Sequence, residues 1–139
     1  MSVSLGKIAF LVRDYDEAIA WFRDCVGFEV IEDTPLDGGK RWVVVAGAGG
    51  AALVLAKADG LIQEARIGDQ TGGRVGWFLQ CDDFAARHQR MIAAGVEFLE
   101  TPRREAYGHV AVFRDPWGGK WDLLGERDLP ETASPGGVA

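Results

Sequence analysis

Tyr107–Glu126 reads YGHVAVFRDPWGGKWDLLGE: an alternating apolar run, a turn and a second alternating run. This is the pattern of a β-hairpin. Asp115-Pro116-Trp117-Gly118 puts Pro where φ must sit near −65° and Gly where the chain needs conformational freedom, so the reversal is expected there. Closing the turn over these four residues sets Asp122 opposite Ala111, and facing residues share one side of a sheet. One side then carries His109, Ala111, Phe113, Lys120, Asp122 and Leu124. The other carries Val110, Val112, Trp121 and Leu123, which is uniformly apolar and suits a core. The first side sets a His and an Asp among small and aromatic residues and reads as the wall of a pocket.

Working outward, the hairpin closes a unit that occurs twice. Leu5–Val12 alternates as a strand, and Asp14 with Glu17 forms a capping-box-like start to a helix whose apolar positions are Tyr15, Ala18, Ile19, Phe22, Cys25 and Val26. Gly27 supplies its stop. Strands follow at about Phe28–Asp33, Lys40–Ala46 and Ala51–Ala56, separated by Gly-rich turns. The pattern restarts with strand Arg74–Cys81, helix Asp83–Ala94, a stop at Gly95, strand Val96–Thr101 and the hairpin. Asp83 lies 69 residues after Asp14, Gly95 lies 68 after Gly27, and Gly118-Gly119 lies 69 after Gly49-Gly50. The expected fold class is α+β: two tandem βαβββ modules, one domain over 1–127, with module one at 5–57, a linker at 58–73 and module two at 74–126. Residues 128–139 are polar and Gly/Pro-rich and read as a flexible tail.

Composition narrows the partners. A chain of 139 residues with 47% hydrophobic content suits one domain with a full core. Its net charge of -6 and lack of a Lys/Arg-rich run argue against nucleic acid or an anionic membrane surface. No apolar stretch reaches the length of a membrane span, and Met1-Ser-Val-Ser lacks the features of a signal peptide, so the cytoplasm is the default expectation. Cys25 and Cys81 fit reduced, packed thiols better than a disulfide or zinc framework.

Two βαβββ units, Val-Arg-Asp-Tyr-Asp-Glu-Ala leading into the first helix, and Phe-Arg-Asp-Pro-Trp-Gly-Gly-Lys-Trp-Asp-Leu at the end together resemble the vicinal oxygen chelate superfamily. That superfamily includes glyoxalase I, bleomycin-resistance proteins and extradiol dioxygenases. The resemblance covers about residues 5–126. It implies a curved mixed sheet around a cup-shaped site, often formed across a homodimer. It also implies metal-ligand positions on the first and last strand of each module, which fall here on Lys7, Gly76, Leu53 and Asp122. Only Asp122 is a fit ligand, so no metal and no cofactor are expected.

The face-sharing argument gives an expected pocket. The first module contributes Lys7, Ala9, Leu11, Trp42, Val44, Leu53 and Leu55. The second contributes Gly76, Phe78, Gln80, Ala111 and Leu124 together with His109, Phe113 and Asp122. Gly76 and Ala111 leave room, and Trp42, Phe78 and Phe113 offer flat faces for a planar or aromatic compound, or else fill the interior. Lys7 and Asp122 are expected to pair, either as a structural ion pair or with Lys7 holding a ligand anion while Asp122 orients His109. The leading expectation is a homodimeric binder of a small molecule. The alternative is a lyase, isomerase or dioxygenase of the same superfamily, metal-free through His109 as base with Asp122, or with an atypical metal site. A dimer with a filled interior is a third reading.

Overall fold

The structure is a computed structural model and describes residues 1–125; the tail expected at 128–139 lies outside them. The chain divides into two compact units, Met1–Gln70 and the remainder from Thr71.

In the first unit, strand β1 (Lys7–Val12) leads into helix α1 (Tyr15–Trp21). The Asp14 carboxylate accepts from the Glu17 backbone N–H at 2.8 Å, filling one of the helix's orphan donors. The Glu17 carboxylate accepts from the Arg13 guanidinium at 2.8 Å. A π-helical turn, Phe22–Val26, extends α1, and Gly27 ends it at φ 88°. Strands β2 (Glu29–Pro35), β3 (Arg41–Ala46) and β4 (Ala52–Lys57) follow, and a short helix α2 (Leu61–Arg66) occupies the segment read as linker. The sheet order is β1-β4-β3-β2, with β1 parallel to β4 and the other pairs antiparallel. Phe10, Val43, Val45 and Leu55 are buried on the face that meets α1, where the Phe10 and Phe22 rings meet edge to face at 5.4 Å.

The second unit repeats the plan with β5 (Val75–Cys81), α3 (Phe84–Ala93), β8 (Gly108–Arg114) and β9 (Lys120–Gly125). The strand expected at Val96–Thr101 shrinks to β6 (Glu97–Phe98). The chain releases at Pro102, which has no N–H to give a ladder, and returns as β7 (Arg103–Glu105). The order is β5-β9-β8-β6, with β7 also on β8. Phe98, Phe113 and Trp121 stack beneath α3 with Met91 and Leu123.

The closing hairpin differs from the expected register by one residue. Asp115 N–H donates to Gly119 C=O at 2.8 Å, so three residues, Pro116-Trp117-Gly118, make the loop, with Gly118 at φ 112°. The Asp115 carboxylate fixes this loop by accepting from the N–H groups of Trp117 and Gly119 and from the Trp121 indole. The pairs are therefore Val112 with Asp122 and Ala111 with Leu123. A one-residue slip exchanges the faces of one strand relative to the other. Ala111 and Phe113 join Trp121 and Leu123 in the core, while Val110 and Val112 lie with Lys120, Asp122 and Leu124.

The π-helical turn also corrects the repeat. It absorbs one extra residue in the first helix, and the 68-residue offset set there persists to the end. Val44 pairs with Val54 as Val112 pairs with Asp122, so the counterpart of Asp122 is Val54, not Leu53.

Candidate functional site

In each unit one sheet face packs on its helix and the opposite face is free of it. These helix-free faces are where the superfamily's site positions are expected, and the registers decide what stands on them.

In the first unit, Lys7, Ala9 and Leu11 of β1 lie with Ala52, Val54 and Ala56 of β4, then Val44 and Trp42 of β3. Trp42 is half-buried, and its indole N–H donates to Glu32 at 2.9 Å. Leu53 and Leu55 pair with Ile8 and Phe10 and belong to the helix-facing core, which corrects their assignment to the pocket. Lys7 is exposed at the start of its strand, so its ammonium keeps its water, and burial gives it no reason to seek a counter-ion. The open edge of β1 is blocked at Leu11, whose N–H and C=O both bond to the Gln70 side-chain amide, at 2.8 and 3.2 Å.

In the second unit, Phe78 and Gln80 of β5 lie beside Asp122 and Leu124 of β9, and these beside Val112 and Val110 of β8. Phe78 is 60% exposed in mid-strand, whereas Asp122 is only 9% exposed. The Asp122 Oδ1 atom has no hydrogen-bond partner among the described residues. Burial, first of all, pushes its carboxyl above the ordinary range; Arg103 opposes that shift and Glu100 adds to it. Arg103 shares the face through its pairing with Val110, but its guanidinium is directed to Glu100 at 3.0 Å and to Glu105. Glu100 also accepts from the Val112 N–H at 2.8 Å, which holds the β6–β7 crossover against the sheet.

His109 and Phe113 are not on this face. His109 meets the Phe84 ring of α3 at 5.6 Å, and Phe113 is fully buried between Phe98 and Trp121. The expected His109–Asp122 pair is therefore split across the sheet. Gly76 sits at a β-bulge of β5, and the room expected beside it is filled. A Cβ there would meet the Thr71 methyl at 2.5 Å. The crossover residues Glu100 and Arg103 are hard to place from sequence because they follow a strand that ends early; the Thr101-Pro102 pair is the local signal of that end.

The donor set does not fit the superfamily's divalent ion. The four ligand positions hold an ammonium at Lys7, no side chain at Gly76, a hydrocarbon at Val54 and one carboxylate at Asp122. Elsewhere, a shallow notch beside α3 is lined by Cys81, Asp83, Arg87 and Arg90. Its Asp83 already caps α3, and burial pushes the Cys81 thiol up, so it presents no activated nucleophile.

Comparison with known proteins bears on the family and the fold. An uncharacterized protein of Shewanella frigidimarina (strain NCIMB 400) is 46% identical over 127 residues, covering 89% of this chain and 94% of its own. The crystal structure of UcmS2 superposes with a TM-score of 0.75 at 29% identity, covering 89% of this chain and 98% of that one. TnmS3, an antibiotic binding protein from Streptomyces sp. CB03234, is similar at a TM-score of 0.64 and 27% identity, covering 91% and 97%. The family model of the Glyoxalase/Bleomycin resistance protein/Dioxygenase superfamily matches residues 4–123, and this chain belongs to that superfamily.

Proposed function

We propose that this protein binds a planar or aromatic small molecule and releases it unchanged, without the superfamily's metal. The observation that carries the reading is Phe78, a large ring left 60% exposed on the helix-free face of a sheet. Leaving such a ring in water forgoes roughly 2 kcal/mol of burial that a flat ligand would restore. The likeness to TnmS3, an antibiotic binding protein, supports the same direction. Gln80 and Asp122 are retained as ligand-facing residues beside Phe78, and Lys7 and Trp42 as candidates on the first unit's own helix-free face. Leu53, Gly76, His109 and Phe113 are withdrawn from that role, since they face a core or a filled space.

An enzymatic reading draws less support, because the base and its orienting carboxylate lie on opposite faces. We further propose a homodimer, since the exposed Val30 and Ile31 of the edge strand β2 offer apolar surface for a second copy. A thermal-shift screen of polycyclic aromatic compounds, with each hit recovered and weighed by mass spectrometry, tests the function. Saturable stabilisation with the compound recovered intact is expected. A converted compound, or one metal per chain after dialysis, would replace binding with catalysis. No stabilisation by any compound would remove both.

A further inference from the structure

Asp122 and Phe78 together describe more than a hydrophobic platform. They are register neighbours on adjacent parallel strands, so their side chains leave the same face about 5 Å apart. Around them, Glu100 and Glu105 both take the Arg103 guanidinium, while Lys120 and Arg114 stand further along the same face. The Arg103 fork is directed to Glu100, Glu105 and Tyr107. Glu100 and Glu105 share that guanidinium, and Asp122 is left as the buried carboxylate whose Oδ1 lacks a donor among the described residues. A buried acceptor in this state is destabilising unless something supplies the missing hydrogen bond.

We infer that the ligand of this face is an aromatic cation, its ring laid on Phe78 and its protonated nitrogen directed at Asp122. This rests on the binding function proposed above and specifies the ligand class. The nitrogen must sit one strand spacing from the ring centre, so an amine on a short arm or at a ring edge fits, while a carboxylate on the same scaffold is repelled. An N⁺–H donor satisfies Asp122 with a charge-assisted bond, stronger than one from a neutral hydroxyl.

The test uses the full chain and three probes of one shape, 2-naphthylmethylammonium, 2-naphthalenemethanol and 2-naphthoate, titrated by calorimetry at neutral pH. The ammonium is expected to bind about tenfold more tightly than the alcohol, with the carboxylate weakest. In Asp122→Asn the ammonium and the alcohol should converge to within about twofold, while the alcohol keeps its wild-type affinity. In Phe78→Ala all three should weaken. Equal affinity for ammonium and alcohol in the wild type would overturn the inference and leave aromatic binding standing. The same holds if the ammonium's advantage survives in Asp122→Asn. Failure of all three probes to bind would overturn both.

Discussion

Phe78 on β5 and Asp122 on β9 are cross-strand neighbours: an aromatic ring left in solvent stands beside a carboxylate shut away from it. The usual placement is the reverse, and this one has a consequence for stability. Burial holds the Asp122 carboxyl above its ordinary value of 3.8, so between that value and the raised one the folded chain binds more protons than the unfolded chain. Stability contributed by this group is therefore greatest at low pH, falls as pH rises through that window, and stays at its reduced level above it. Asp122→Asn should raise stability at pH 7 by on the order of 1 kcal/mol. The gap between the two proteins should close in acid. Urea unfolding at several pH values measures both, and a variant less stable than wild type at pH 7 would contradict the account.

Asp115 sets which residues face Asp122. Removing its carboxylate leaves two backbone N–H groups and the Trp121 indole without their acceptor. Asp115→Ala should cost about 3 kcal/mol, and Asp115→Asn less, since its amide oxygen still accepts. Denaturant unfolding gives the order, and an Ala variant within 0.5 kcal/mol of wild type, roughly the scatter of a surface change, would show that the loop does not need this side chain.

The hairpin, both helix starts and the doubled unit were legible because each rests on local chemistry: alternation, an N-capping Asp, a Gly at positive φ. The faces of the site were not, because a face depends on register, and register hung on one residue of loop length at Asp115–Gly119. The sequence Asp-Pro-Trp-Gly suits a four-residue turn; the second glycine, Gly119, and the acceptor geometry of Asp115 lengthen it by one. The same single-residue sensitivity misplaced Leu53, since the π-helical turn that extends α1 adds a residue without breaking the apolar period. Lys7, Phe78, Gln80 and Asp122 kept their face because their strands are placed by helix caps and by the parallel pairing to the last strand.

Gly76 and Thr71 form a coupled pair. A methyl at Gly76 meets the Thr71 methyl, and Thr71 is not free to rotate while its hydroxyl donates to Arg74 C=O at 2.5 Å. Gly76→Ala should destabilise by about 1–2 kcal/mol. Thr71→Ser, which removes only the methyl, should restore most of that in the double variant. A double-mutant cycle decides it, and strictly additive effects would mean that the two side chains do not meet.

Gln70 closes the edge of β1 with two hydrogen bonds to Leu11. Gln70→Ala should cost about 1–2 kcal/mol and leave the Leu11 amide open to solvent. Hydrogen exchange at Leu11 reads this directly: protection lost there, but kept at Phe10 and Val12, is the expected result. Unchanged protection at Leu11 would mean that the amide is covered in another way.

The proposed ligand surface is the helix-free face of the second unit, and not its core. Methyl NMR during a titration with 2-naphthalenemethanol separates the two, because valine and leucine methyls stand on both sides of the sheet. The account predicts saturable shifts of the Val112 and Leu124 methyls, which lie with Phe78 and Asp122, while the Leu79 and Leu123 methyls on the helix side hold still. Shifts confined to Leu79 and Leu123, or none in this unit at any concentration, would contradict it.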